Sequence, residues 1–333
     1  MGIRVRCPAR EPAVTALPTT SSTQQRDLRR LGTPKSVSAR AFRERLIVAC
    51  LAVAATFSIL VTTTIVVVLA KETVGFFAFP DVTVGEFFGS TEWNPLLGAE
   101  KHFGIWPLIS GTVLVTVIAG SFALPIGLIA ALYLSEYASP RIRATLKPAL
   151  EILAGIPTVV YGFFALTVIT PALQKLSPAF GNYNAMSAGL ATGIMILPIV
   201  CSLSEDSLRS VPRSLRDGAF ALGGTRFDVS VKVVLPAALS GIVAAFLLAI
   251  SRAIGETMIV ALAAGGIAQI TANPAAEVQT MTAYMVQIFL GDAPATGVEY
   301  KSSYAVAAML FVMTFVLTMI GQAILRRFRE EYD

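Results

Sequence analysis

Residues 205–242 read EDSLRSVPRSLRDGAFALGGTRFDVSVKVVLPAALSGI, and they join the apolar run Met186–Leu203 to the apolar run Leu235–Gly266. The stretch is basic and only partly apolar, so it belongs outside the bilayer, where it can present a short helix to a soluble partner. Four further apolar runs complete the pattern: Leu46–Ala70, Ile105–Leu134, Leu150–Leu173 and Tyr304–Leu325. Each of the six reaches roughly the 17–25 residues that cross about 30 Å of hydrocarbon at 1.5 Å per residue. Met186–Leu203 is at the short end and the second and fifth runs are long, which predicts tilt or interfacial extensions. With 55% hydrophobic and 14% charged residues, the chain is no ordinary soluble domain. No strand alternation competes, and helices satisfy their own backbone in lipid. The expected fold is all-α and integral to the membrane, with six transmembrane helices.

Lys and Arg set the orientation. Twenty-one of the 26 lie before Leu46, after the second and fourth runs, or at the end of the chain. Only Lys71, Lys101, Lys175 and Lys301 fall on the opposite side, and Arg252 lies within a run. The positive-inside rule therefore puts both termini in the cytoplasm. The net charge of +5 reports topology; the partner is membrane lipid, with no nucleic acid implied. The organisation follows: 1–45 a basic cytoplasmic tail, disordered over its polar residues 1–40; 46–70 an uncleaved first helix; 71–104 an external loop. A five-helix core spans 105–325 with its cytoplasmic loop at 205–235, and 326–333 is a cytoplasmic tail.

The 71–104 loop is rich in aromatics, which lie either at the membrane interface or on a docking surface. Met281–Leu290 is apolar but too short to span, so it reads as an interfacial or re-entrant helix. Gly189 and Gly193 form a GxxxG pair that permits close helix approach. The sole histidine, His102, reads as a solvated loop residue. Cys7, Cys50 and Cys201 have no metal-ligand spacing and no expected disulfide role. No lysine follows a glycine, which removes the P-loop route to ATP. HExxH and GxSxG are absent as well, and nothing favours an enzyme.

Within the 205–235 loop, Arg216 and Asp217-Gly218-Ala219 are followed by Phe220, Leu222 and Gly223, then by Leu235-Pro236. This resembles the EAA loop of bacterial ABC-importer permeases, which docks on the ATPase. Asp217 stands for Glu and Gly218 for the first Ala of that pattern; glycine costs a helix about 1 kcal/mol relative to alanine. Phe220 and Leu222 read as apolar anchors, Gly223-Gly224 as a flexible end to the helix, and Pro236 as a first-turn proline of the next span.

The fifth run contains LLAISRAIGETMIVAL, with Arg252 and Glu256 four residues apart. In a continuous helix they share one face and partly neutralise one another. Arg252, sixteen residues beyond Pro236, would lie roughly 24 Å along that helix. Each charge costs about 2.5–3.5 kcal/mol at mid-membrane on insertion scales. The pair is either a structural ion pair or an anion site. Arg252 can bind two oxygens of a tetrahedral oxyanion; Glu256, an acceptor only, would favour oxyanions that still carry a proton.

The run SRAIGETMIVALAAGG is similar to the fifth-helix signature of PstC-type phosphate permeases. STEWNP (Ser90–Pro95), FGIWPLISGT (Phe103–Thr112), YLSEYA (Tyr133–Ala138) and ILAGIPTVVYGFF (Ile152–Phe164) agree with that family too. The resemblance implies a type I ABC-importer permease of MetI-like fold in the bacterial inner membrane, importing phosphate through Arg252 and Glu256. It also implies a PstA-type permease, a PstB-type ATPase dimer and a PstS-type phosphate-binding protein as partners. ATP and Mg would be held by the ATPase, with no cofactor in this chain. An importer of another oxyanion, a stand-alone transporter or channel, and a non-transporting sensor are the competing readings.

Overall fold

A computed structural model describes residues 34–80, 82–95, 101–291, 294 and 296–328. The chain divides into two units, Met1–Val66 and Val67–Asp333. In the first, the described residues are helical from Pro34 onward, part of α1 (Pro34–Phe77). Proline is tolerated there because a first-turn residue has no intrahelical N–H bond to lose. The helix therefore starts well upstream of Leu46, and residues 34–45 are not a structureless tail; residues 1–33 lie outside the described residues. Thr62, Thr63 and Thr64 interrupt the apolar sequence, and each hydroxyl donates to the carbonyl four residues back at 2.8–2.9 Å. Their donors are thus satisfied without water.

The second unit carries α2 (Val84–Gly89), a two-stranded antiparallel hairpin β1 (Trp93–Asn94) and β2 (His102–Phe103), and a set of membrane-length helices. Helix α3 (Trp106–Leu132) ends in a π-turn at Tyr133–Tyr137. Helix α4 (Pro140–Ala154) follows, then α5 (Thr158–Phe164), a second π-turn (Ala165–Ile169) and α6 (Thr170–Leu176). Helix α7 (Ala185–Ser210) is continuous. The loop helix is α8 (Arg213–Ala221), followed by α9 (Arg226–Val229), a third π-turn (Ser230–Val234) and α10 (Leu235–Ala237). Helices α11 (Leu239–Ile254), α12 (Met258–Ala263), α13 (Met281–Leu290) and α14 (Val298–Phe328) complete the order. Among the described residues five helices are long and apolar enough to cross a membrane, or six when Arg226–Ala237 and Leu239–Ile254, bent by 70°, count as one span.

Two expected spans are broken. Leu150–Leu173 is interrupted at Gly155-Ile156-Pro157, leaving α4 as a separate helix. Pro157 disfavours helical backbone at the residue before it. The Tyr161 hydroxyl crosses the break to donate to the Leu153 carbonyl at 2.8 Å. Leu235–Gly266 is interrupted at Ala238 and again at Gly255–Thr257. Pro236 thus belongs to the short α10 before the bend, not to the first turn of the membrane helix.

Helix α7 is central, packed against α3, α4, α11 and α12. Small residues make the seam with α3. A Cβ at Gly189 would lie 2.5 Å from the Ile118 side chain, and one at Gly193 would lie 3.1 Å from the Ala119 carbonyl. Between apolar helices in lipid, such close approach supplies the packing contacts.

The aromatics of 71–104 form a core. Phe76, Phe87, Trp93 and Phe103 are buried with Met281, Tyr284 and Ile288 of α13. Their rings meet edge to face, Trp93 against Tyr284 at 5.0 Å and Phe76 against Phe103 at 5.3 Å. These four rings lie neither at a lipid interface nor on a docking face. His102 lies in this loop with 38% of its side chain exposed and Nδ1 3.5 Å from Glu86. Met281–Leu290 is a short helix that buries Met281, Tyr284 and Ile288 against this layer and leaves Phe289 and Leu290 exposed. Cys50 and Cys201 are both free.

Candidate functional site

Helix α11 stops just after Arg252. Gly255 donates its N–H to the Ser251 carbonyl at 3.3 Å, and Glu256 leaves the helical path. The buried Glu256 turns toward the next helix, where Oε1 accepts the N–H groups of Met258 (3.1 Å) and Ile259 (3.2 Å). It thereby satisfies donors that a helix N-terminus leaves open and places negative charge at the positive end of α12. Thr282 donates to the Glu256 carbonyl at 2.6 Å and ties the break to α13.

Arg252 stays on α11, exposed on this chain, with Nε donating to Met195 Sδ at 3.3 Å. Sulfur is a weak acceptor. Among the described residues Arg252 forms no ion pair. The expected face-sharing with Glu256 fails because it requires continuous helix across residues 252–256. The depth estimate also changes: only the segment from Leu239 contributes, about 20 Å of rise. The outcome is a guanidinium within the apolar region that has no carboxylate partner among the described residues.

In the loop, α8 ends in a Schellman cap. Gly223 has φ +84 and donates to the Phe220 carbonyl at 2.9 Å, while Gly224 donates to Ala219 at 3.2 Å. Positive φ suits glycine, and the two bonds cover otherwise open carbonyls. Gly223-Gly224 is thus a defined stop to the helix rather than a flexible one. The outward side carries large apolar side chains among polar ones: Leu222 is 92% exposed, Phe227 65% and Phe220 45%, with Arg213 and Asp217 exposed beside them. Asp217 and Gly218 are exposed, Ala219 and Leu235 half-buried, and Pro236 exposed.

Arg216, grouped with the loop residues of the EAA-like pattern, is turned inward and only 16% exposed. Its NH1 donates to the Val211 carbonyl at 2.5 Å. Its NH2 reaches the Leu208 carbonyl at 2.8 Å and Glu136 at 3.1 Å. Arg216 holds α8 in place and does not extend from it.

Other residues of this end escaped the sequence reading. Phe227 is one; its signal was an aromatic next to the Thr-x-x-Asp start of α9. Thr225 Oγ1 accepts the Asp228 N–H at 3.2 Å, the near half of a capping box. Hydrogen bonds from Lys232 and Thr225 pull the Asp228 carboxyl down to about 2. Glu205, buried at the end of α7, accepts from Arg143 at 2.8 Å and Lys147 at 2.9 Å and so links α7 to α4. Burial lowers the Lys147 ammonium, but hydrogen bonds to Asp206 and Glu205 outweigh it and hold the pKa above its ordinary value.

The architecture is that of a multi-pass helical membrane protein whose capped loop helix exposes Phe220 and Leu222. The chain belongs to the family described as binding-protein-dependent transport system inner membrane component, which it matches over residues 123–330. It is 32% identical to the probable ABC transporter permease protein YqgH of Bacillus subtilis strain 168, over 71% of this chain and 75% of that protein. It is 31% identical to the phosphate transport system permease protein PstC of Xylella fastidiosa strain Temecula1, and 32% to PstC of Mesorhizobium japonicum. Each match covers 72% of this chain and 78% of the relative. Among solved structures, a bacterial transporter for import of the acidic polysaccharide alginate aligns with TM-score 0.56 and 15% identity, over 82% of this chain and 96% of the other. The inward-facing MetNI methionine ABC transporter aligns with TM-score 0.51 and 18% identity, over 68% and 95%. These two likenesses establish the fold, that of a MetI-like permease. The chain is therefore the permease subunit of an ABC importer, working with another permease, an ATPase and a binding protein; it is a transport subunit and not an enzyme.

Proposed function

We propose that this permease imports inorganic phosphate, together with a PstA-type permease, a PstB-type ATPase dimer and a PstS-type phosphate-binding protein. The observation that carries the reading is Arg252, a guanidinium in the apolar region with no carboxylate partner among the described residues. An unpaired charge at that depth costs several kcal/mol unless another charge reaches it. A passing oxyanion supplies that charge, and the planar fork suits two of its oxygens. The names of the relatives at 31–32% identity make phosphate the favoured oxyanion.

Glu256 joins the pathway in a different capacity. Its Oε1 is committed to α12, so its main part is to hold the broken segment beside Arg252, while Oε2 remains an acceptor for a protonated oxyanion. The distribution of Lys and Arg places both termini and residues 205–235 in the cytoplasm. There Asp217, Gly218, Ala219, Phe220, Leu222 and Gly223 form the surface on which the ATPase docks, with Leu235 and Pro236 starting the path back into the membrane. ATP and Mg belong to that ATPase.

The test is radiolabelled phosphate uptake into proteoliposomes holding the whole complex. Arg252→Ala should lower kcat/KM by about tenfold or more, the scale of one lost charge-assisted hydrogen bond, and Arg252→Lys should fall between it and wild type. An unchanged rate for Arg252→Ala would remove the site. Equal competition by sulfate would move the cargo to oxyanions in general.

A further inference from the structure

We infer that Arg216 and Glu136 form the mechanical link by which movement of the loop helix α8 reaches the membrane helix α3, with Glu136 as its receiving end. The inference rests on the reading of α8 as the ATPase-docking helix and adds how its displacement leaves the loop.

Helix α8 has two sides. Phe220 and Leu222 face outward, while the Arg216 side chain runs inward and ends on three acceptors from three segments. The Leu208 carbonyl belongs to the last turn of α7 and the Val211 carbonyl to the bend between α7 and α8. A helix leaves its final carbonyls without intrahelical partners, and a cation there is favourable. The remaining donor goes to Glu136, eighty positions away in sequence and 3.1 Å away in space. Among the described residues this is the one ion pair that joins α8 to another element. Both partners are mostly buried, at 16% and 14% exposure, so solvent screens the pair less than a surface pair.

Glu136 is itself held in place. Ser135 donates to the same Oε1 at 2.8 Å. The residue sits in the π-turn that ends α3, closed by the Ala138 N–H on the Tyr133 carbonyl at 2.8 Å. Single π-turns of this kind widen a helix locally and recur at functional positions. The guanidinium is planar and its donors are fixed relative to one another, so α8 cannot rotate or slide without pulling on Leu208, Val211 and Glu136 together. Helix α3 in turn packs on α7 through Gly189 and Gly193. A push on Phe220 and Leu222 therefore reaches the α3 end noncovalently, alongside the covalent route through α9 and α10 to α11. Arg216 is a positioning residue in this scheme and touches neither substrate nor nucleotide.

The experiment uses the complete complex in proteoliposomes and reads ATP hydrolysed per phosphate accumulated, together with copurification of the ATPase. Glu136→Gln keeps the size and an acceptor oxygen but removes the charge. It should retain the ATPase and its hydrolysis while uptake falls, raising the ratio about tenfold, the factor that one charge-assisted hydrogen bond carries. Glu136→Asp, which keeps the charge, should bring the ratio most of the way back. An unchanged ratio in Glu136→Gln overturns the link. So does a parallel fall of hydrolysis and uptake, or a complex that no longer assembles, since each makes Glu136 a folding residue only. Leu222→Asp is measured alongside and should release the ATPase. If it leaves the ATPase bound and uptake normal, the docking reading fails by itself, whatever Glu136→Gln does.

Discussion

Gly218→Ala isolates the cost of the one glycine inside the loop helix. Gly218 lies within α8, and a Cβ built there meets nothing within 4 Å. The substitution therefore adds no clash and removes only the backbone freedom of glycine, a gain of about 1 kcal/mol in helix stability. Part of that freedom is already restrained, because Arg216 anchors one side of α8 and the Gly223-Gly224 cap closes its end. If docking requires the whole helix formed, pre-ordering it lowers the entropic cost of binding, and 1 kcal/mol corresponds to about fivefold in affinity. Two measurements check this. Amide hydrogen exchange across residues 213–221 should slow in the variant, and titration of the ATPase subunit onto the purified permease should show tighter binding by up to that factor. Unchanged exchange would show that α8 is already fully formed and that Gly218 costs the loop nothing. Slower exchange with weaker binding would show that the partner needs the open space at Gly218, which reverses the argument.

Two further outcomes are expected. Glu256→Ala removes the acceptor for the Met258 and Ile259 N–H groups and should destabilise the protein by about 1 kcal/mol, the usual cost of a lost N-cap acceptor. Glu256→Gln, which keeps an oxygen there, should unfold in detergent close to wild type; equal losses in both variants would refute the capping role. The Asp228 box should respond to acid in one direction. Its folded pKa of about 2 lies below the ordinary 3.8, so its contribution is present above about pH 4 and is lost as pH falls through 2. An Asp228 carboxyl-carbon titration by NMR with a midpoint near 4 would contradict the Lys232 and Thr225 contacts.

The spans were legible because lipid leaves so few options. A backbone without water must close its own hydrogen bonds, so an apolar run of sufficient length reads as helix from composition alone. The breaks were partly legible. Gly155-Ile156-Pro157 carries a proline signal and Gly255 lies between the two charges, yet each sits inside an apolar run long enough to span, and hydrophobicity alone does not report a break. The aromatic cluster of 71–104 was visible as composition but not as a core. Its partner surface, Met281, Tyr284 and Ile288, comes from a segment some two hundred residues later, and no local period reports that.

At the site, sequence alone determined what chemistry is present: a guanidinium in an apolar run, and a loop helix with exposed apolar side chains and a glycine stop. Those properties belong to the residues themselves and to short-range backbone rules. Tertiary structure decided their pairings. Whether Glu256 neutralises Arg252 or caps α12 depends on where α11 ends, and whether Arg216 faces a partner or Glu136 depends on where α3 and α7 bring their ends. A charge acts over a few ångströms of space, and only the packed chain determines which residues lie within them.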